Sequence, residues 1–428
     1  MSIPLDRLEQ FIENIAKEIE DNVIIYRFWP HGSKKLEDLQ DLSGPTTWQE
    51  KIPNFSIYCH DQEPLNYDLY RYGKIQKPEF TKILQSISCA LDVNLMYHPT
   101  IYDQICLIHS EKRSLNLTLY QNHPNRQCID VYYWCHALIS IDWFRYAQHV
   151  RQQKQVKKTF LIYNRAWSGT REYRLKFVEM LISFNLQDHC RTTVNPVEPE
   201  LGIHYNQHQF DNPAWRPQIL LENYFSTSNT PSHYSADFDI EDYEATDIEV
   251  VLETLFDDSR LHLTEKSLRP IACGQPFILA GTHGSLEYLH SYGFKTFDTL
   301  WNESYDSIED PQERMYAITD LMKTISNWTH EEKIDKLARA KIITDYNKKH
   351  FFSTEFFNQV VTELEFNLTT ALTQLKSKSS VQPFLDRWKK LLTYDEVLNY
   401  LSSTQDAVGP TLNQVKNALN IASQKLKP

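Results

Sequence analysis

The sequence predicts an α/β protein, because strand-like and helix-like segments alternate through most of its length. The clearest alternation lies in the stretch Leu261–Phe297, which holds four of the ten glycines in the chain. The chain has 428 residues, and since single hydrophobic cores stop growing at about 250 to 300 residues, we expect at least two domains. Hydrophobic residues make up 41% of the sequence, which is typical of a folded globular protein.

The elements of this glycine-containing stretch follow the order βαβαβ, which is half of a nucleotide-binding fold. Thr264 is the candidate N-cap of a helix over 265–272, which Pro270 shortens or kinks and Gly274 ends. The pattern predicts a short strand end at 261–263, further strands at Phe277–Ala280 and Phe294–Phe297, and a second helix at Ser285–Tyr292.

The start of the first helix in this stretch is a candidate anion site. We expect free backbone N–H groups after Thr264, at the positive end of the helix dipole. Lys266 and Arg269 add two mobile positive charges there, so the inferred ligand is a diphosphate. The alternative is that both side chains are solvated at the surface and bind no ligand. Neither G-x-G-x-x-G nor G-x-x-x-x-G-K-[ST] occurs, which disfavours dinucleotide dehydrogenases and P-loop NTPases.

The negative charge of the chain is concentrated in one segment. The net charge is −12, and ten carboxylates without any Lys or Arg lie in Asp237–Asp258. We expect a solvated acidic loop followed by a strand at Ile248–Leu252, with Glu253 at the end of that strand. The D-x-D pattern at Asp237–Asp239 precedes the strand instead of following it, so we expect no metal site there.

A second α/β region is predicted before residue 150. Its strand-like runs are Asn22–Phe28, Phe55–Cys59 and Ile105–His109, and its helical patterns are Pro78–Ser88 and Tyr132–Tyr146. His60, Asp61 and Glu63 follow the second strand directly, so one of them is the candidate general base, with Asp61 or Glu63 preferred. Capping of the following loop and helix is the alternative for the two acids. His136 is interpreted as a core histidine.

The predicted domains are 1–150, an acceptor-side α/β domain; 151–350, a donor-binding α/β domain; and 351–428, a helical tail. The polar, basic stretch Ala147–Lys158 marks the first boundary. A strand at Thr159–Tyr163 then leads into Arg165 and Arg171, which can meet phosphate or pair with the acidic loop. Apolar residues of the tail recur at helical spacing, which favours core packing: Phe356, Phe357, Val360, Val361 and Leu364.

The sequence also favours a cytoplasmic protein with reduced thiols. No run of 18 apolar residues occurs, and the first 20 residues read as an acidic amphipathic helix, so we expect no membrane insertion. The seven cysteines are scattered and form no C-x-x-C pair, so we expect no structural zinc.

Short motifs resemble those of glycosyltransferases. Three segments resemble the donor-binding region of two-domain (GT-B type) enzymes, and α-1,3-fucosyltransferases most of all: Val251–Thr254, Leu263–Lys266 and Pro276–Leu279. Three stretches are also similar to glycosyltransferases encoded by tailed phages: Asp61–Pro64, His136–Trp143 and Thr264–Lys266. The resemblance implies an α/β fold with two Rossmann-like domains that face each other across a cleft, followed by a helical C-terminal tail.

The resemblance implies roles for single residues as well. Lys266 would bind the donor phosphates, Glu265 the ribose side of the nucleoside and Glu253 the transferred sugar, with Thr264 beside them. Inverting, metal-independent transfer from a nucleotide sugar to a hydroxyl is the expected activity, and the nucleotide sugar is a co-substrate, so no cofactor is expected.

Two acceptors remain open, a hydroxymethylated pyrimidine in DNA and a glycan. Basic residues around the first domain boundary could contact DNA phosphates: Arg145, Arg151, Lys154, Lys157 and Lys158. From a different class of function, the chain could be a non-catalytic protein that binds nucleotides or nucleic acid.

Overall fold

The computed structural model describes residues 14, 15, 18, 23–28, 55–60, 105–109, 117–119, 127–150, 152–198, 202–227, 238–257 and 260–378. The chain divides into two compact units. One comprises residues 6–110, 114–135 and 362–428, and the other comprises residues 1–5, 111–113 and 136–361. The predicted boundary at Ala147–Lys158 falls inside the latter unit.

The unit that contains the N-terminal strands has a five-stranded sheet in the order β1-β2-β3-β5-β4. Its strands are β1 (Val23–Phe28), β2 (Phe55–His60), β3 (Ile105–His109), β4 (Leu117–Leu119) and β5 (Gln127–Tyr133). All neighbours pair in parallel except β4, which is antiparallel to β5. The three strands predicted from sequence are confirmed, whereas the predicted helix at Pro78–Ser88 lies outside the described residues.

The other unit has a four-stranded parallel sheet in the order β7-β6-β8-β9. Its strands are β6 (Lys158–Ile162), β7 (Cys190–Thr192), β8 (Thr246–Leu252) and β9 (Phe277–Ala280). The helices from residue 136 onward are α1 (Ala137–Trp143), α2 (Tyr173–Ser183), α3 (Ile240–Glu244), α4 (Glu265–Cys273), α5 (Ser285–Ser291), α6 (Pro311–Ser326), α7 (His330–Phe351) and α8 (Thr354–Lys378). The described part of the chain is therefore α/β, as predicted.

The prediction for α4 is confirmed at both ends. The Thr264 side chain accepts a hydrogen bond from the Lys266 backbone N–H, and Gly274 ends the helix with φ of 73°. Only glycine adopts this left-handed backbone conformation almost without strain. Pro270 lies inside the helix, which remains a single nine-residue segment.

Three predicted details are wrong. Residues 261–263 form no strand, and Tyr132 and Tyr133 end strand β5 instead of beginning a helix. The stretch 294–297 is not a strand either. There the Asn347 side-chain amide accepts from the Lys295 N–H and donates to the Lys295 carbonyl, at 2.8 Å each, so these backbone groups pair with a side chain of α7.

Three of the five apolar residues of the predicted stripe are buried in α8, and Phe357 and Val361 are half-buried. Phe356, Val360 and Leu364 are each at most 1% exposed. Further along the helix, the Asn367 side-chain amide donates to the Tyr133 carbonyl at 2.8 Å, within the unit of the five-stranded sheet. Among the described helices, none is both long enough and apolar enough to cross a membrane.

Candidate functional site

Polar residues collect at the carboxyl ends of three neighbouring parallel strands. Asn164 and Arg165 follow β6, Glu253 follows β8, and Thr282 follows β9 after a single glycine. Because parallel strands end at the same edge of their sheet, these segments share one edge with the first turn of α4. Open α/β sheets bind ligands at such an edge.

Glu253 is bound to the start of α4. Its carboxylate is fully buried and accepts hydrogen bonds from the Thr254 N–H (3.0 Å), the Thr264 N–H (2.9 Å) and the Ser267 N–H (3.2 Å). It also accepts from the hydroxyls of Thr264 (2.9 Å) and Ser267 (2.6 Å). The expectation of free N–H groups at this helix start is therefore wrong, because a carboxylate of the chain already occupies the position of an anion.

A close backbone approach and a buried arginine fix the loops around Glu253. A methyl group on Gly281 would lie 3.0 Å from the Ser285 hydroxyl and 3.7 Å from the Glu253 Cβ, so this position favours glycine. The Arg314 guanidinium, in a residue 1% exposed, donates to the carbonyls of Gly281 (3.1 Å), Glu309 (3.0 Å) and Phe256. One side chain thus ties the loops that follow β8 and β9 to α6.

Lys266 lies in the first turn of α4 and keeps 16% of its side chain exposed. Its ammonium donates to the Glu265 carboxylate at 2.6 Å and to the Thr264 hydroxyl at 3.3 Å. The other Glu265 oxygen lies 3.7 Å from Nε2 of His136. Of the residues predicted to bind the donor, Lys266, Glu265, Thr264 and Glu253 therefore form one connected group.

His136 is a core residue, as predicted. It is 1% exposed, its Nδ1 lies 2.9 Å from the Ser140 hydroxyl, and its ring meets Trp143 edge-on. Burial lowers the pKa of His136 to about 4, against the opposing effect of the nearby Glu265 carboxylate. The imidazole is therefore neutral at physiological pH.

The expectation of a mobile charge at Arg269 is wrong. The residue is 4% exposed, and its guanidinium donates to the Glu249 carboxylate at 2.6 Å and lies 4.4 Å from the Tyr163 ring centre. Burial acts to lower the pKa of Arg269, but the Glu249 carboxylate raises it beyond the usual value. This ion pair joins α4 to β8 inside the unit.

Arg165 remains a candidate for contact with an anion. It is half-buried, and no described side chain is seen to pair with its guanidinium. The Asn195 amide donates to its carbonyl at 2.9 Å, which fixes the backbone at this point. Arg171 lies further along the same loop, in a short 3₁₀ turn.

Sequence reasoning missed two buried polar atoms at this edge. Oδ1 of Asn164 and Oγ1 of Thr282 have no hydrogen-bond partner among the described residues, although these residues are only 6% and 2% exposed. Buried polar groups are nearly always paired, so each is a candidate contact for a ligand or water. The signal was present in the sequence, since both residues follow predicted strands by one or two positions.

The acidic segment is not a solvated loop, contrary to the expectation. The Asp239 side chain caps α3, Asp242 pairs with Arg191, and the Asp247 carboxylate lies 2.6 Å from the Lys333 ammonium. Asp257 accepts from the Trp215 indole N–H at 2.7 Å. The Asp242, Asp247 and Asp257 carboxylates therefore pair with residues of β7, α7 and the 213–215 turn, while Asp239 and Glu241 remain exposed.

Two of the basic residues proposed for DNA contact serve the fold. The Lys154 ammonium donates to the Tyr243 and Thr246 carbonyls and to Oε1 of Gln275, at 2.6 to 2.8 Å. The Lys158 ammonium donates to a backbone carbonyl at 2.6 Å. The three acceptors use all the donors of the Lys154 ammonium, whereas Lys158 makes one such bond. Arg151 lies outside the described residues, and Lys157 is exposed.

The candidate general bases are only partly covered by the structure. His60 is the last residue of β2, so the strand ends one residue later than the predicted Cys59. Asp61 and Glu63 lie outside the described residues. Among the residues that are described, no group of three His, Cys, Asp or Glu side chains could hold a metal ion.

No protein-family model matches the chain, and no curated protein matches it significantly.

Proposed function

We propose that this protein is a nucleotide-sugar-dependent glycosyltransferase of the two-domain GT-B type. Its second Rossmann-like domain would bind the donor at the carboxyl edge of the four-stranded sheet. The acceptor would bind to the first domain, where Asp61, Glu63 or His60 would remove the proton of the acceptor hydroxyl. A hydroxymethylated pyrimidine in DNA and a glycan are the two acceptor classes.

The observation that carries this proposal is the position of Lys266. Its ammonium is part-exposed at an edge where such sheets bind ligands, while neighbouring Arg269 is buried in an ion pair. Since the carboxylate of Glu253 occupies the helix start, the donor diphosphate would depend on side-chain charges, from Lys266 and Arg165. The buried Asn164 and Thr282 oxygens would accept hydrogen bonds from donor hydroxyls.

Donor binding provides the first test. Calorimetric titration with UDP-, GDP-, CMP- and dTDP-sugars should identify one donor that binds wild type, and Lys266→Ala should weaken this donor by about 1.5 to 3 kcal/mol. Lys176→Ala is the matched control, because Lys176 also pairs with a carboxylate of its own helix. Equal donor affinity in wild type and Lys266→Ala would refute the proposed role of Lys266, and no binding of any donor would refute the function.

Transfer itself provides the second test. Asp61→Asn and Glu63→Gln keep the side-chain shape and remove the basic group, so the variant of the true base should lose about 10² to 10⁴ in single-turnover rate with donor affinity retained. Donor binding by a wild type that transfers no sugar to DNA or glycans would favour a non-catalytic nucleotide-binding protein.

A further inference from the structure

Helix α7 is buried along one side and carries apolar residues on the opposite side. One side packs into the protein through Ala340, Thr344, Asn347 and Phe351, each at most 3% exposed. The other side, here called the outer face, carries apolar residues at every fourth position: Ile334, Ala338, Ile342 and Tyr346. All four are exposed, and Ile342 and Ile334 are exposed to 72% and 58%. Exposed apolar residues aligned along one helix are typical of an interaction surface.

The outer face is held rigidly. A Thr329–Glu332 capping box begins the helix, and on the opposite side Asn347 bonds to the backbone of Lys295. The Tyr346 hydroxyl donates to the Gly293 carbonyl at 3.2 Å, and the Lys295 ammonium lies 4.1 Å from its ring centre. A partner would therefore meet a preformed surface and would order few side chains on binding.

The residues of this face are arranged symmetrically about position 340. Glu331 lies nine positions before it and Lys349 nine positions after; Ile334 and Tyr346 lie six positions away, and Ala338 and Ile342 two. If a second α7 packs against the first in the antiparallel direction, each of these residues meets its counterpart. Acidic Glu331 then faces basic Lys349, and the small Ala338 faces the large Ile342.

The remaining charges of this face form ion pairs within the helix. Asp335 pairs with Arg339 and Lys341 with Asp345 on the helix surface, with all four side chains at least half exposed. In the antiparallel pair Asp335 opposes Asp345 of the second copy and Arg339 opposes Lys341, but each of these charges already pairs with an opposite charge four positions away on its own helix. In a parallel pair each charged residue would instead lie beside the same residue of the second helix, so Glu331 would not face Lys349.

We infer that the outer face of α7 is an interface between two copies of this chain, paired antiparallel about a two-fold axis near Ala340. The helix has 22 residues and spans about 33 Å. A single helix pair buries less than the roughly 800 Å² per partner of a standard interface, so the dimer is weak, with a dissociation constant on the order of 100 µM. This inference is independent of the proposed function.

Sedimentation equilibrium of the full chain over a range of concentrations tests the interface. We expect wild type to convert reversibly from monomer to dimer and Ile342→Glu to raise the dissociation constant by about 100-fold or more, because the change acts in both copies. Phe366→Glu is the matched control, since Phe366 is 69% exposed on helix α8, and it should leave the constant unchanged.

A charge exchange tests the direction of pairing. Glu331→Lys or Lys349→Glu alone should weaken the dimer about 5-fold, and the two changes together should restore it, which a folding defect would not do. A wild type that remains monomeric at 1 mM, on the order of ten times the expected constant, would overturn the inference. So would a dimer that tolerates Ile342→Glu, or a double variant as weak as either single one.

Discussion

Replacement of Glu253 by glutamine should destabilise the unit that contains it. Five donors converge on the carboxylate, three of them backbone N–H groups. The side-chain amide of glutamine has only one oxygen that can accept. Its NH₂ group would therefore face either the Thr254 N–H or the N–H groups of Thr264 and Ser267, which it cannot bind. Losing a charged acceptor from a buried N–H costs about 1.5 to 3 kcal/mol, and removing the negative charge from the helix start costs about 0.3 to 1 kcal/mol more.

The expected loss is therefore about 2 to 4 kcal/mol, or roughly 4 to 16 °C in the unfolding midpoint of a unit of this size. Thermal and urea unfolding followed by circular dichroism measure it. Glu287→Gln is the matched control, because Glu287 also lies in the first turn of a helix but is exposed. Equal midpoints for Glu253→Gln and wild type would refute the bonding scheme. If donor affinity fell instead, Glu253 would contact the sugar, as the resemblance implies.

Three further predictions concern ionisable side chains of the same unit. Arg269→Met should cost about 3 to 5 kcal/mol in urea unfolding, while a double variant that also replaces Glu249 by Leu should cost clearly less, because no uncompensated charge remains; additive losses would contradict this. The free energy of unfolding should fall as pH drops from 6.5 towards 4, since His136 has a pKa of about 4 when folded, and the loss from this residue reaches roughly 3 kcal/mol. His136→Gln should remove this part of the pH dependence of stability. Burial raises the pKa of Glu303 to about 7, so Glu303 contributes the opposite pH dependence in wild type and variant alike. Parallel plots of unfolding free energy against pH for the two proteins would refute the role of His136. Lys154→Ala should lower stability by about 1 to 2 kcal/mol and leave any DNA affinity and its salt dependence unchanged, and a flatter salt slope would show that Lys154 contacts phosphate.

The local signals in the sequence predicted the elements at the candidate site well. The strand after Pro276, the Thr264 cap and the Gly274 stop depend on residues within a few positions, and all three are confirmed. Residues 294–297 form no strand, because the Lys295 backbone bonds to the side chain of Asn347, 52 positions away. No local pattern encodes that pairing.

The charged residues of the site could not be placed from sequence for the same reason. Arg269 looked like a surface residue, but its partner Glu249 lies on β8, 20 positions earlier. Glu253 looked available to a ligand, although Thr264 and Ser267 fold back onto it. A charge pattern alone does not distinguish a solvated carboxylate from one that ends a strand inside a protein, because burial is set by the tertiary fold.

The contacts of Arg314 have a consequence for how this edge of the sheet opens. Its guanidinium binds carbonyls of three separate loops, at Phe256, Gly281 and Ile308–Glu309, and its charge lies 4.6 Å from the Phe256 ring centre. If any one of these loops moved away, the buried Arg314 guanidinium would lose one or more of its hydrogen-bond acceptors. In hydrogen exchange the amides of these loops should therefore become accessible together, as one cooperative unit, with a common free energy of opening.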